Sequence, residues 1–181
     1  VDGERFYPDA LAHCQNLARA YSLPVETVAG VVAALSPNNK WSRNLQDAHN
    51  ICRAYVVGGY ADAEQIKCST YNRNKIKALT ILGGADPSTV LGGLKVRAFY
   101  GCIMGDPYAD VCVDGHAYSV WLGQYVPTTK TPKISPKLYA AISADYAMAA
   151  EQINIILNTA YLPCQIQAIT WLAWRRIAKE N

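Results

Sequence analysis

The sequence predicts an all-α protein. Apolar residues recur at helical spacing through most of the chain, and no strand-like alternation persists beyond a few residues. Prolines and glycine pairs punctuate these stretches at intervals that suit single helices. Of the 181 residues 51% are apolar and only 17% are charged, so one substantial domain with a real core is expected and disorder is not. There is no internal repeat or low-complexity tract.

Taken in order, "PDALAHCQNLARAYS" from Pro8 has an apolar spacing near 3.6, with proline in its first turn. "PVETVAGVVAALS" from Pro24 is apolar nearly all round, which predicts a central buried helix stopped by Pro37. "SRNLQDAHNICRAYV" follows and ends at Gly58-Gly59, before a short "DAEQIK". "NRNKIKALTIL" closes at Gly83-Gly84. In "DPSTVL", Asp86 is a plausible N-cap with Pro87 at the first helical position. Gly92-Gly93 then turns the chain into "LKVRAFYGCIMG", giving a short helix, a glycine turn and a second helix. The loop "DPYADVCV" leads to a helix opening near Asp114, and 127–136 is a proline-rich loop. Two last helices are expected near 136–160 and 163–178, with Trp171 and Trp174 in the core.

The six cysteines (14, 52, 68, 102, 112, 164) are scattered without a C-x-x-C pair, as expected of buried thiols in a reducing cytoplasm. Metal and iron–sulfur sites cluster their ligands, so neither is expected. No apolar run approaches the ~20 residues that span a bilayer, and no secretory leader is evident. Residues 67–105 carry Lys67, Arg73, Lys75, Lys77, Lys95 and Arg97 against Asp86 alone. Such a stretch suits a phosphate backbone, or simply a solvated helix face.

Two charges raise a chemical question. Asp114 lies between Val113 and Gly115 in an apolar run, where it suits either a helix cap or a fixed catalytic carboxylate. Lys95 opens a helix, a position the helix dipole disfavours for a cation.

Four stretches carry a resemblance: Gly92-Gly93-Leu94-Lys95, Val113-Asp114-Gly115-His116, "ALSPNNKWSRNLQDA" (34–48) and "YNRNKIKALTIL" (71–82). In this order, over roughly residues 24 to 122, they resemble the helix-hairpin-helix DNA glycosylases of the endonuclease III type. The hairpin is shorter than is usual there, and the cysteine-rich tail that binds an iron–sulfur cluster in some members is absent. "SPNN-x-W" and "L-K-V-x-x-F-Y" also resemble small phage-borne relatives.

The resemblance implies a two-lobed fold, with a central lobe of residues 23–125 and a second lobe of 1–22 plus 126–181. It implies a site in the cleft between them, with Asp114 as the catalytic carboxylate and Lys95 as an amine attacking C1′. Gly92, Gly93 and Leu94 would hold a DNA phosphate, joined by Arg73 and Lys75, while Asn38, Asn39 and Trp41 would enter the duplex or line the pocket. Tyr71 and His116 are base-pocket candidates. The activity implied is base excision from DNA by base flipping, with lyase action where an amine is the nucleophile. A thymine-modifying transferase on the same fold and a silent DNA-binding module are the alternatives. The implied partner is double-stranded DNA, bound by a cytoplasmic monomer, with no cofactor and no membrane.

Overall fold

The computed structural model describes residues 3–180, and side-chain surroundings up to residue 177. The described residues form nine α-helices and one 3-10 turn, with no strand. The all-α expectation therefore holds.

Helix α2 (Val25–Leu35) is the centre, and every residue from Val28 to Leu35 is buried. Its near-continuous apolar sequence lets it be packed on all sides, by α1 (Phe6–Tyr21), α3 (Trp41–Gln65), α4 (Asn72–Leu82), α5 (Pro87–Val90) and α6 (Leu94–Met104). These elements share one apolar cluster, to which Cys112, Cys164 and Ala168 also contribute. A second cluster joins Ala98 of α6 to α7 (Gly115–Leu122), α8 (Pro136–Leu157) and α9 (Pro163–Glu180). Helices α6 and α9 supply both clusters, so they are the seam of the molecule.

Several boundaries follow local rules. Asp86 caps α5 by accepting from the Ser88 N–H at 2.8 Å, with Pro87 next in line. Ser135 caps α8 in the same way, accepting from the Leu138 N–H. Helix α1 starts two residues before Pro8, and α3 is interrupted at the glycine pair, where the sequence placed a helix end. Gly59 takes a left-handed, non-helical conformation (φ 76°) that breaks α3, and the helix resumes as far as Gln65. The 127–136 loop contains the 3-10 turn Thr128–Lys130.

The segment 110–114 is irregular although Val111 and Val113 are buried, and α8 pairs its backbone. The Tyr139 hydroxyl accepts from the Val113 N–H (3.2 Å) and donates to the Val111 carbonyl (2.8 Å). The Ser143 hydroxyl accepts from the Val111 N–H and donates to Asp110 Oδ1. Burial raises the Tyr139 phenol well above its usual value, so it stays protonated and able to donate. Replacing Tyr139 by Phe leaves a buried N–H and a buried carbonyl unpaired, which should cost about 1–3 kcal/mol. A lower urea midpoint at unchanged slope would show this; an unchanged midpoint would mean the segment does not depend on Tyr139.

Candidate functional site

A cleft of about 690 Å³ opens where α1, the α2–α3 loop, α6, the 112–114 segment and α9 converge. Ligand sites of ordinary size fall in this range. Both charges singled out in the sequence line it, Lys95 from the first turn of α6 and Asp114 from the start of α7.

Gly93 makes the turn that delivers Lys95. Its φ of 81° lies in the left-handed region, and it occupies the N-cap position of α6. The helix therefore begins abruptly, with Leu94 and Lys95 exposed. No carboxylate of the described residues pairs with Lys95.

Asp114 is both a cap and a free carboxylate. Its Oδ1 accepts from the His116 N–H (3.0 Å) and the Ala117 N–H (2.9 Å), while Oδ2 takes no hydrogen bond from the described residues. Gly115 follows because nothing larger fits: a Cβ there would stand 2.6 Å from the Thr131 hydroxyl oxygen.

Cys112 lies against both charges and lines the cleft at 9% exposure. Burial pushes its thiol up to about 12, with Asp114 adding to the rise and Lys95 opposing it. Its S–H faces the Lys95 carbonyl at 3.7 Å. A thiol held this far up is not a nucleophile at neutral pH.

The walls are aromatic. Phe6 packs against Trp41 (5.1 Å between centroids) and Trp171 (5.6 Å), and Trp41 meets Phe99 edge-on at 6.1 Å. A smaller recess behind them is bounded by Phe6, Tyr7, Phe99 and Trp171, with Asp114 and Cys112 at its edge. The rim is cationic: Lys40, Lys95 and Arg175 line the cleft, and Arg175 lies 5.4 Å over the Trp171 ring.

The other candidates divide. Asn38, in a left-handed conformation (φ 56°), and Asn39 and Trp41 all line the cleft. The Asn39 amide also braces the loop, donating to the Leu35 carbonyl and to Asp47 Oδ2. Asp47 is fully buried and also binds Arg43 (3.0 Å) and the Ser69 N–H (2.7 Å). Gly92, Gly93 and Leu94 flank Lys95 on the turn without lining the cleft, and Leu94 borders a separate groove on the other side of α6. Tyr71 is 53% exposed outside the cleft, with Arg73 stacked on its ring at 5.0 Å. The Lys75 ammonium donates to the Glu64 and Ile66 carbonyls, where it caps the end of α3. His116 does not line the cleft; its ring is 6.4 Å from Trp171. Trp171, expected in the core, is a half-buried wall of the site, and Phe6 and Arg175 join it from the two ends of the chain.

A family profile matches residues 1–178. The chain belongs to DUF7178, a family of unknown function. No curated protein and no solved structure matches it. Among the described residues of this DUF7178 chain there is no group of three or more His, Cys, Asp or Glu that would hold a metal ion. No described helix is long and apolar enough to cross a membrane.

The flanking charges make a testable signature at Cys112. Asp114→Asn should lower the Cys112 thiol pKa and Lys95→Ala should raise it. Iodoacetamide labelling against pH, followed on the Cys112 peptide by mass spectrometry, reads both shifts. Shifts of the same sign, or none, would mean the two charges do not flank the thiol.

Proposed function

We propose that the protein is a DNA-acting enzyme of the helix-hairpin-helix glycosylase kind, which breaks the N-glycosidic bond of a base flipped into the cleft. The observation that carries this reading is the convergence of Lys95 and Asp114 on one aromatic-walled, cation-rimmed cleft. Short α5, the glycine turn and α6 match the hairpin such a reading requires. Aromatic walls suit a flipped base because every base has a π-face, and extrusion exchanges stacking in the duplex for stacking in the pocket. The cations at the mouth suit the phosphates on either side of it.

The chemistry assigned to the two side chains is complementary. Breaking the C1′–N bond sends its electron pair to the departing base and builds positive charge on the sugar. Asp114 Oδ2, with no partner among the described residues, faces that charge as a fixed anion. Lys95, as the free amine, forms the new bond to C1′, and the proton it sheds passes to the carboxylate or to the base. The nitrogen lone pair then forms the C=N bond as the C1′–O4′ bond breaks, O4′ keeping that electron pair and taking a proton, and the strand can be cut from the resulting imine by loss of a C2′ proton and the 3′ phosphate.

Asp114→Asn preserves the capping oxygen, since Asn caps helices as well as Asp does. The variant should therefore fold and bind duplex DNA, yet lose turnover by roughly 100- to 10,000-fold. Mass spectrometry of the DNA product separates loss of a base from gain of a group. A fully active Asn variant would reduce Asp114 to a helix cap. Borohydride should trap a covalent protein–DNA adduct that disappears in Lys95→Ala and persists in Lys75→Ala. Base release without any adduct would make water the nucleophile.

The cations give a separate expectation for binding. Replacing Lys40 or Arg175 by Ala should lower the slope of log affinity against log salt by about 0.9 for each phosphate left without its cation. Lys75→Ala should instead lower stability and leave the slope unchanged, because that ammonium is spent on α3 carbonyls. A slope insensitive to both Lys40 and Arg175 would remove DNA phosphates from the rim.

A further inference from the structure

Buried side-chain polar atoms normally have partners, and each exception asks for a reason. Among the described residues six such atoms have none, and three of them belong to residues that line this one cleft: Asn39 Oδ1, Asn44 Oδ1 and Trp171 Nε1. Asn44 is the sharpest case. It is only 1% exposed, and its Nδ2 donates to the Val32 carbonyl at 3.0 Å. Because that carbonyl can only accept, the amide orientation is fixed and the oxygen must face away from it. Asn39 is fixed by the same logic, its Nδ2 shared between the Leu35 carbonyl and Asp47. The α2–α3 loop and the first turn of α3 thus hold two acceptors without donors among the described residues, and of the two unpartnered indole N–H groups on α9 the one on Trp171 belongs to a residue lining the same cleft.

From this pattern we infer that the cleft selects a nucleobase carrying an exocyclic amino group. The amino N–H groups donate to Asn44 Oδ1 and Asn39 Oδ1, and an acceptor elsewhere on the ring takes the Trp171 indole N–H. Adenine, cytosine and 5-methylcytosine have this arrangement. Their oxo counterparts hypoxanthine, uracil and thymine place an oxygen where the amino group stood, so acceptor would face acceptor and both asparagine oxygens would lose the donor that paired them. The discrimination comes from a buried acceptor that no water-filled rim can satisfy, so it does not depend on the cations that hold the backbone. The inference rests on the cleft being the base-binding site.

The test compares each amino base with its oxo counterpart, placed opposite an abasic-site analogue so that differences in pairing do not contribute. Affinity and turnover of the full chain are measured on these duplexes with wild type, Asn44→Leu and Trp171→Phe. The wild type should favour the amino member of each pair by about tenfold or more. Asn44→Leu should bring the ratio close to one, and a ratio is not altered by partial unfolding of a variant. Trp171→Phe, which keeps a ring but loses the donor, should weaken both members alike and leave the ratio intact. Base-dependent binding with equal or reversed preference, together with turnover that still needs Asp114, would overturn this inference and leave the proposed function standing. Binding indifferent to the base, with no effect of Asp114→Asn, would overturn both.

Discussion

The Tyr139 hydroxyl is the contact on which the site depends. Residues 110–114 run between α6 and α7 without helical hydrogen bonds of their own, yet Val111 and Val113 are buried at 0% and 3% exposure. A buried irregular segment survives only if its backbone groups are paired. Tyr139 and Ser143 provide that pairing from α8, and Tyr146 extends it by donating to the Ala117 carbonyl in the first turn of α7. The segment is thereby held straight into the N-cap position, and Asp114 arrives at the cleft on a rigid mount. The helix that carries these hydroxyls does not line the cleft, so α8 acts on the site through the backbone it anchors.

The opposite wall rests on a second buried polar centre. Asp47, inside the first turns of α3, collects Arg43, Asn39 and the Ser69 N–H around one carboxylate. A buried charge with several donors is tolerated, and removing any donor leaves part of it unpaired. This joins the α2–α3 loop to the segment before α4. The Thr70 hydroxyl adds a bond to the Pro37 carbonyl. The loop bearing Asn38, Asn39 and Lys40 is therefore braced from behind, which explains why a left-handed Asn38 is accommodated there.

What was legible in the sequence was local. Asp86 before Pro87, Pro37 after an apolar helix and the glycine pair before Lys95 are short-range rules of capping and turn formation, and they place element ends from neighbouring residues alone. Asp114 and Lys95 could be singled out because each is awkward in its own context. The rest of the cleft was not legible for a different reason. Phe6 and Trp171 lie 165 positions apart; periodicity marks Trp171 only as a core residue of the last helix, and Phe6 falls before the helix it predicts from Pro8. Nothing along the chain says which apolar face closes a core and which walls a cleft. Lys75 shows the converse limit: its positive charge is visible and suits a phosphate, while the carbonyls it caps belong to the end of the preceding helix.

The two oxygens of Asp114 separate what capping needs from what a carboxylate adds. Capping requires one acceptor, and Oδ1 meets it with two N–H bonds. A serine or threonine cap would satisfy the same N–H groups with a neutral oxygen. A carboxylate leaves a second oxygen and a full negative charge at the cleft, beside a thiol that burial keeps neutral and a lysine with no acidic partner among the described residues. Pairing Lys95 with Asp114 directly would have satisfied both charges and closed the site. Keeping them unpaired across Cys112 leaves a carboxylate and an amine available to a third molecule. The helix start therefore stores, at the position where folding needs only an acceptor, the charge that chemistry on a sugar would need.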